Sequence, residues 1–322
     1  MVHPHPIRWE PAMTEARAAT IAFVGTGVMG GPMVGHLLDA GHEVVVFNRT
    51  KSRADGLVAR GARWAGSPGE AAAQADVAIT MVGYPADVED VYLAPGGIVE
   101  RAREGTVLVD MTTSSPALAK RVAEAAAARG LAALDAPVSG GDIGAKNATL
   151  TIMVGGDAEA FARVEPLLHV LGRSVILQGG PGAGQHTKMA NQVAIAGSML
   201  ATVESLAYAE AVGLDPHRVL DSIGAGSAAS WALANLAPRI LDGNFGPGFY
   251  VKHFVKDLKI ALASAEEAGV ELPGCALAKR LYELLESHGG ADLGTQALWL
   301  LYTDSATREA AGVWPATSVG WL

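Results

Sequence analysis

A single cysteine, Cys275, stands in the whole chain. That excludes an intramolecular disulfide and a thiolate metal cluster. No apolar run is long enough to span a bilayer as a helix. Basic residues are also scarce, 24 Lys and Arg against 33 Asp and Glu, for a formal charge of −9. That balance argues against a nucleic-acid or anionic-membrane partner. No apolar h-region opens the chain, so residues 1–19 read as a loose tail, not a signal peptide, and a cytoplasmic setting is expected. No His, Cys or carboxylate group has metal-ligand spacing, so no metal is expected. What abounds is small and apolar: half the residues are hydrophobic and 39 are glycine. The chain is long enough for two domains with close helix packing.

The organising stretch lies near the start. Thr20 to Val24 is an apolar run that reads as a buried strand. Gly25, Gly27 and Gly30 then follow in G-x-G-x-x-G spacing, and a helical pattern runs to Ala40 with Gly41 as its stop. Gly25 permits a tight reversal, Gly27 a close approach of backbone to a pyrophosphate, and Gly30 close helix–strand packing. The helix N-terminus offers free N–H groups to the phosphates. Gly25, Thr26, Gly27, Val28, Met29 and Gly30 are therefore candidate cofactor contacts.

Strands and helices alternate onward. Strands are expected at Glu43–Phe47, Val77–Val82, Val107–Asp110, Leu131–Asp135, Leu150–Val154 and Val175–Leu177. Helices are expected at Ser52–Arg60, from Pro116 (with Ser115 as cap) to Arg129, and at Ala158–Leu171. The alternation argues an α/β fold, a Rossmann-type, doubly wound, mostly parallel sheet over residues 20–183. After the glycine-rich stretch 179–184 the strand signals end. A long helix, Gln185 to Gly213, leads into helices at Pro216–Ile223, Trp231–Leu241, Lys256–Ala268, Leu272–His288 and Thr295–Tyr302. Residues 184–307 read as an all-α C-terminal domain joined to the first by the long helix, and 308–322 as a tail in which Trp314 and Trp321 are docking candidates.

The end of the second strand reads Asn48-Arg49-Thr50-Lys51, without an acid. A carboxylate about 4 Å from a 2′-phosphate would cost roughly 4 kcal/mol per charge pair at an effective dielectric near 20. Its absence, and the donors of Asn48, Arg49 and Thr50, favour NADP. Stacking of Arg49 on adenine would equally suit NAD, which stays open.

Five stretches, Phe23–Arg49, Asp110–Pro116, Asp135–Gly144, Gly182–Gln192 and Phe254–Ala261, together resemble the β-hydroxyacid dehydrogenases. This is the family of 3-hydroxyisobutyrate dehydrogenase and tartronate semialdehyde (2-hydroxy-3-oxopropionate) reductase. Thr80–Pro85, Gly248–His253 and Gly294–Gln296 are similar to a bacterial, NAD(P)-dependent, poorly characterised branch. The resemblance implies that Lys188 is the general acid/base, that Lys256, of the pair Lys256-Asp257, lies by the cofactor, and that Thr113 and Val82 contact it. It implies that Ser139, Gly140 and Gly141 cradle the substrate carboxylate, where successive N–H groups and a hydroxyl suit an anion. Asn191 and Gln192 fall where relatives often carry Asn-Asn, and Gln192 keeps the amide on a longer stem. Ala148 stands where relatives usually have Gly, which bears on the local backbone. Ser227, Ser230 and Trp231 are candidates to close the pocket, though Trp231 reads more simply as core.

The expected reaction is the reversible interconversion of a short 3-hydroxy carboxylate and its semialdehyde. Hydride transfer to the aldehyde builds negative charge on oxygen, which an ammonium stabilises and then protonates. As a base, Lys188 needs a pKa roughly two to three below the usual 10.4, a bias of about 3–4 kcal/mol against its charged form. Ile195 stands where phosphogluconate dehydrogenase carries a Glu, against decarboxylation, and Lys188 itself argues against an imine-reductase-like enzyme. A non-catalytic NADP-binding sensor is the reading from another class. The partner expected is a small-molecule carboxylate, in a homodimer or homotetramer.

Overall fold

The computed structural model describes residues 18–303. Residues 1–17 of the expected first tail, and the whole of 308–322 with Trp314 and Trp321, lie outside them. The strands are β1 (Thr20–Val24), β2 (Glu43–Phe47), β3 (Arg63–Trp64), β4 (Val77–Thr80), β5 (Val107–Asp110), β6 (Ala132–Asp135), β7 (Val138–Ser139), β8 (Leu150–Gly155) and β9 (Gly172–Gly179). The helices of the first half are α1 (Gly30–Asp39), α2 (Asp55–Ala59), α3 (Pro68–Ala72), α4 (Pro85–Leu93), α5 (Ile98–Arg101), α6 (Pro116–Ala127), α7 (Gly141–Lys146) and α8 (Ala158–His169). The second half holds α9 (Ala183–Ala211), α10 (Pro216–Ile223), α11 (Trp231–Asn235), α12 (Ala237–Leu241), α13 (Val251–Glu267) and α14 (Pro273–Ser287).

The sheet order is 3-2-1-4-5-6, all parallel, the doubly wound order of a dinucleotide-binding fold. Beyond β6 the sheet continues with β8, antiparallel to it, flanked by β7 and by a parallel β9. Both faces are covered. Ile21, Phe23, Val44, Val46, Ile79 and Val109 pack into one core, while Ala22, Val24, Val45, Ala78 and Leu108 pack into another on the opposite face. Burial on both sides is why these strands read as continuous apolar runs and not as alternations.

The register places Val24, Thr80, Asp110 and Asp135 in one row at the carboxyl ends of β1, β4, β5 and β6. This is the edge at which such sheets bind ligands. Gly25 follows β1 with φ +101°, and a Cβ there would lie 2.2 Å from the Met81 carbonyl oxygen. Gly41, with φ +84°, ends α1; the amides of Gly41 and His42 donate to the carbonyls of Leu38 and Leu37. Ser115 caps α6 by accepting from the Leu118 amide at 3.1 Å.

At 29 residues, α9 is about 44 Å long at 1.5 Å per residue. Its start lies against β6 and β8, where a Cβ on Gly184 would fall 2.4 Å from the Met153 carbonyl oxygen. Its remainder joins the second half, where Met199, Val203 and Leu206 share a core with Phe254, Tyr282 and Leu298.

Several elements differ from expectation. The sequence pattern does not mark β3, β7, α3, α4, α5 or α7. Each is six residues or fewer except α4, too short to develop a clear period. The expected Trp231–Leu241 helix is two helices meeting at Leu236, with Pro238 near the start of the second. α13 begins at Val251, so Lys256 lies inside the helix and not at its start. Trp231, read as core, is 69% exposed; it opens a five-residue helix whose buried positions are Ala232 and Leu233. Ser230 caps that helix through the Leu233 amide, and Ser227 is exposed.

Candidate active site

The glycine turn fits a dinucleotide. A Cβ on Gly30 would lie 1.9 Å from the Gly25 carbonyl oxygen, whereas one on Gly27 would meet nothing within 4 Å. Gly25 and Gly30 thus serve the fold, and Gly27 leaves open the space that a pyrophosphate needs. No side chain caps α1 at Met29, and its first turn contains no acid, so its positive end is available to an anion. Val28 is 54% exposed. The Thr26 hydroxyl is buried and has no partner among the described residues, while its amide donates to Asn48 Oδ1 at 3.0 Å.

Asn48 also donates through Nδ2 to the Thr50 carbonyl at 2.8 Å. Its side chain therefore ties the end of β2 to the glycine turn. Arg49 is exposed, and its Nη1 lies 3.1 Å from Asp87 Oδ1. The local stretch holds no acid, but the fold brings one in from α4, which weakens the argument from its absence.

The proposed catalytic group is fully inside. Lys188 is buried on the second turn of α9, with its pKa lowered to about 8. Burial is the largest cause; the Asp257 carboxylate opposes it, and the Lys256 ammonium lowers the pKa further. Among the described residues its ammonium has no protein hydrogen bond. Lys256 Nζ donates to the Thr113 carbonyl at 2.6 Å and lies 3.1 Å from Asp257 Oδ1. Asp257 Oδ2 accepts from Gln192 Nε2 at 2.6 Å, and Gln192 Oε1 accepts from Asn191 Nδ2 at 2.8 Å. Lys188, Asn191, Gln192, Thr113 and Lys256 thus form one cluster, completed by Asp257.

A second buried network anchors it. Asp135 accepts from the amides of Gly182 and Gln185, each at 2.7 Å, and so caps the start of α9. Gln185, fully buried, donates through Nε2 to the Thr112 carbonyl at 2.7 Å and accepts from the Ser114 amide at 2.9 Å. The Thr112 hydroxyl accepts from the Val82 amide at 3.0 Å. Asp110 accepts from the Thr80 hydroxyl and the Thr112 amide, and burial pushes its pKa up to about 6. Gln185 and Asp135 are not among the residues that the sequence marks for the site. Both stand in the motif stretches, but their importance depends on contacts 47 or more residues away.

Ser139, half-buried, ends β7 opposite Thr151. Gly140 and Gly141 have φ +127° and +61°, and a Cβ on Gly141 would lie 3.1 Å from the Gly248 carbonyl oxygen. This loop therefore meets the helical half before α13. No hydrogen bond joins it to the Lys188 cluster among the described residues. Ala148 has φ +52°, the sole non-glycine positive φ among the described residues, at the position where Gly is expected in relatives.

A glycine turn on the 3-2-1-4-5-6 sheet, with a buried lysine on the helix that leads into the helical half, fits a nicotinamide-dependent oxidoreductase. Residues 20–180 match the NAD-binding domain of 6-phosphogluconate dehydrogenase, and residues 182–302 match the NAD-binding domain of NADP-dependent 3-hydroxyisobutyrate dehydrogenase. An uncharacterised oxidoreductase of Bacillus subtilis (strain 168) is 54% identical over 88% of this chain and 98% of its own. The 3-hydroxyisobutyrate dehydrogenase of Pseudomonas aeruginosa is 40% identical over 86% and 95%. The Mycobacterium tuberculosis 3-hydroxyisobutyrate dehydrogenase structure with L-serine is 34% identical, with a TM-score of 0.83 over 89% and 100%. The chain belongs to the β-hydroxyacid dehydrogenase family and is an NAD(P)-dependent enzyme of that kind.

Proposed function

We propose that the enzyme reversibly interconverts a short 3-hydroxy carboxylate and its semialdehyde, with Lys188 as general acid/base and NADP as the favoured cofactor. The observation that carries this is the buried Lys188 ammonium, beside Lys256 and Asp257, with its pKa brought to about 8. That value lies near the working range of an acid/base that must act in both directions. When bound, the nicotinamide accepts or donates the hydride. The Gly25–Gly30 turn and Arg49 would hold its phosphates, with Thr113, Val82 and Lys256 on the side nearer the reacting centre.

In reduction, protonated Lys188 stabilises the growing negative charge on the substrate oxygen and then delivers its proton. In oxidation, the neutral amine takes that proton. Gln192, fixed by Asp257, and Asn191 orient the substrate oxygen. Ser139, Gly140 and Gly141 receive the carboxylate. The M. tuberculosis relative is paired with L-serine in its structure, which makes a short, polar 3-hydroxy acid a sensible test substrate here.

A panel of 3-hydroxyisobutyrate, L-serine and tartronate semialdehyde, run with both cofactors and with succinic semialdehyde as the 4-hydroxy comparison outside the panel, tests the reading. Turnover of at least one member is expected. Lys188→Ala should cost at least about 10²-fold in kcat, the lower end of what a positioned acid/base supplies. A loss of only a few-fold would refute its role. Cofactor binding without turnover of any substrate would instead favour a non-catalytic sensor.

A further inference from the structure

Of the three residues at the end of β2 expected to recognise the adenosine ribose, Asn48 spends its side chain on the Thr26 amide and the Thr50 carbonyl. Thr50 makes no side-chain hydrogen bond among the described residues. Of the three, Arg49 is the one cation, and a 2′-phosphate would be read chiefly through it. Its side chain is 88% exposed, and its single partner among the described residues is Asp87. Asp87 is the third residue of α4, and its other oxygen accepts from the Tyr84 amide at 3.0 Å. The carboxylate is thereby tied to the helix start, where it stays beside the guanidinium.

We propose that Asp87 sets the cofactor preference by competing with the 2′-phosphate for Arg49. A phosphate has to draw the guanidinium from a fixed carboxylate, or share it. A 2′-hydroxyl makes no such demand, because it carries no charge. An exposed ion pair is weak and screened by salt, so Asp87 does not forbid NADP. It moderates a preference that Arg49 alone would make strong. The proposal rests on Arg49 being the 2′-phosphate contact.

The test is equilibrium binding of NADPH and NADH, followed by nucleotide fluorescence, for the wild type, Asp87→Asn, Arg49→Ala and the double variant. Asparagine still accepts from the Tyr84 amide, and equal melting temperatures would show that α4 is intact. Asp87→Asn should tighten NADPH about three- to fivefold and leave NADH within about 1.5-fold, the gain shrinking at high salt. In the Arg49→Ala background the gain should disappear. An NADPH-to-NADH ratio unchanged by Asp87→Asn overturns the proposal, as does a gain that persists without Arg49. A wild type that binds NADH more tightly would refute NADP as the favoured cofactor, yet the change in ratio on Asp87→Asn would still test Asp87.

Discussion

Three influences set the charge on Lys188. Burial and the neighbouring Lys256 disfavour the ammonium, and Asp257 favours it. The fall from 10.5 to about 8 corresponds to roughly 3 kcal/mol in favour of the neutral amine. If Lys188 is the acid/base, oxidation should rise with pH and level off above about 8, while reduction should fall over the same range. Lys256→Gln removes a like charge, so the oxidative limb should move toward alkaline pH. Asp257→Asn removes the opposing attraction and should move it toward acid. Profiles of kcat against pH for the three proteins check both signs. At Ala148, a left-handed backbone costs an L-residue roughly 1–2 kcal/mol. The chain tolerates that cost in a turn between α7 and β8, where the Thr149 amide still donates to the Gly144 carbonyl.

Helix α9 carries Gln185, Lys188 and Gln192 at spacings that keep them on one side. The directional bonds of Gln185 to Thr112 and Ser114 fix the rotation of the helix against the cofactor-side loop. Gln185→Leu leaves two buried backbone groups unpaired, at about 1–3 kcal/mol each, and lets the helix turn. A shift of the order of 1 Å in a reacting group can cost about 10²-fold. We expect kcat to fall at least about tenfold, with substrate KM within about threefold. A lower melting temperature with unchanged kcat would make Gln185 structural only. The long helix, the capped start of α6 and the parallel strands were legible in sequence because each has a local cause: period, Ser115-Pro116, and apolar runs. The four-residue gap between Thr80 and Pro85 hid α4 behind a glycine, although Pro85 at its first position and Asp87 at its third are the usual opening residues. Arg49 meeting Asp87, and Asp135 meeting Gly182, had no local trace, because each pair is made by the winding of the sheet.

The whole molecule keeps two kinds of interior. The sheet half has an apolar layer on each face, and the helical half has its own core around Phe254, Tyr282 and Leu298. Tyr208, Val212 and Leu214 at the far end of α9, with Val270 and Trp231, leave large apolar side chains exposed on the helical half. A homodimer or homotetramer would cover such residues, and light scattering should report at least twice the 33.0 kDa chain mass; a monomeric mass would exclude that assembly. The anchoring of α9 has one more consequence. Lys188 is held on a stiff rod pinned by Asp135 and Gln185, and on the proposed reading the glycine turn would fix where the cofactor docks. A planar carbonyl lying between a proton donor and a hydride donor, neither free to change sides, shows the same prochiral face in every turnover. With a deuteride donor, the CHD carbon of the alcohol formed from the semialdehyde should therefore have a single handedness.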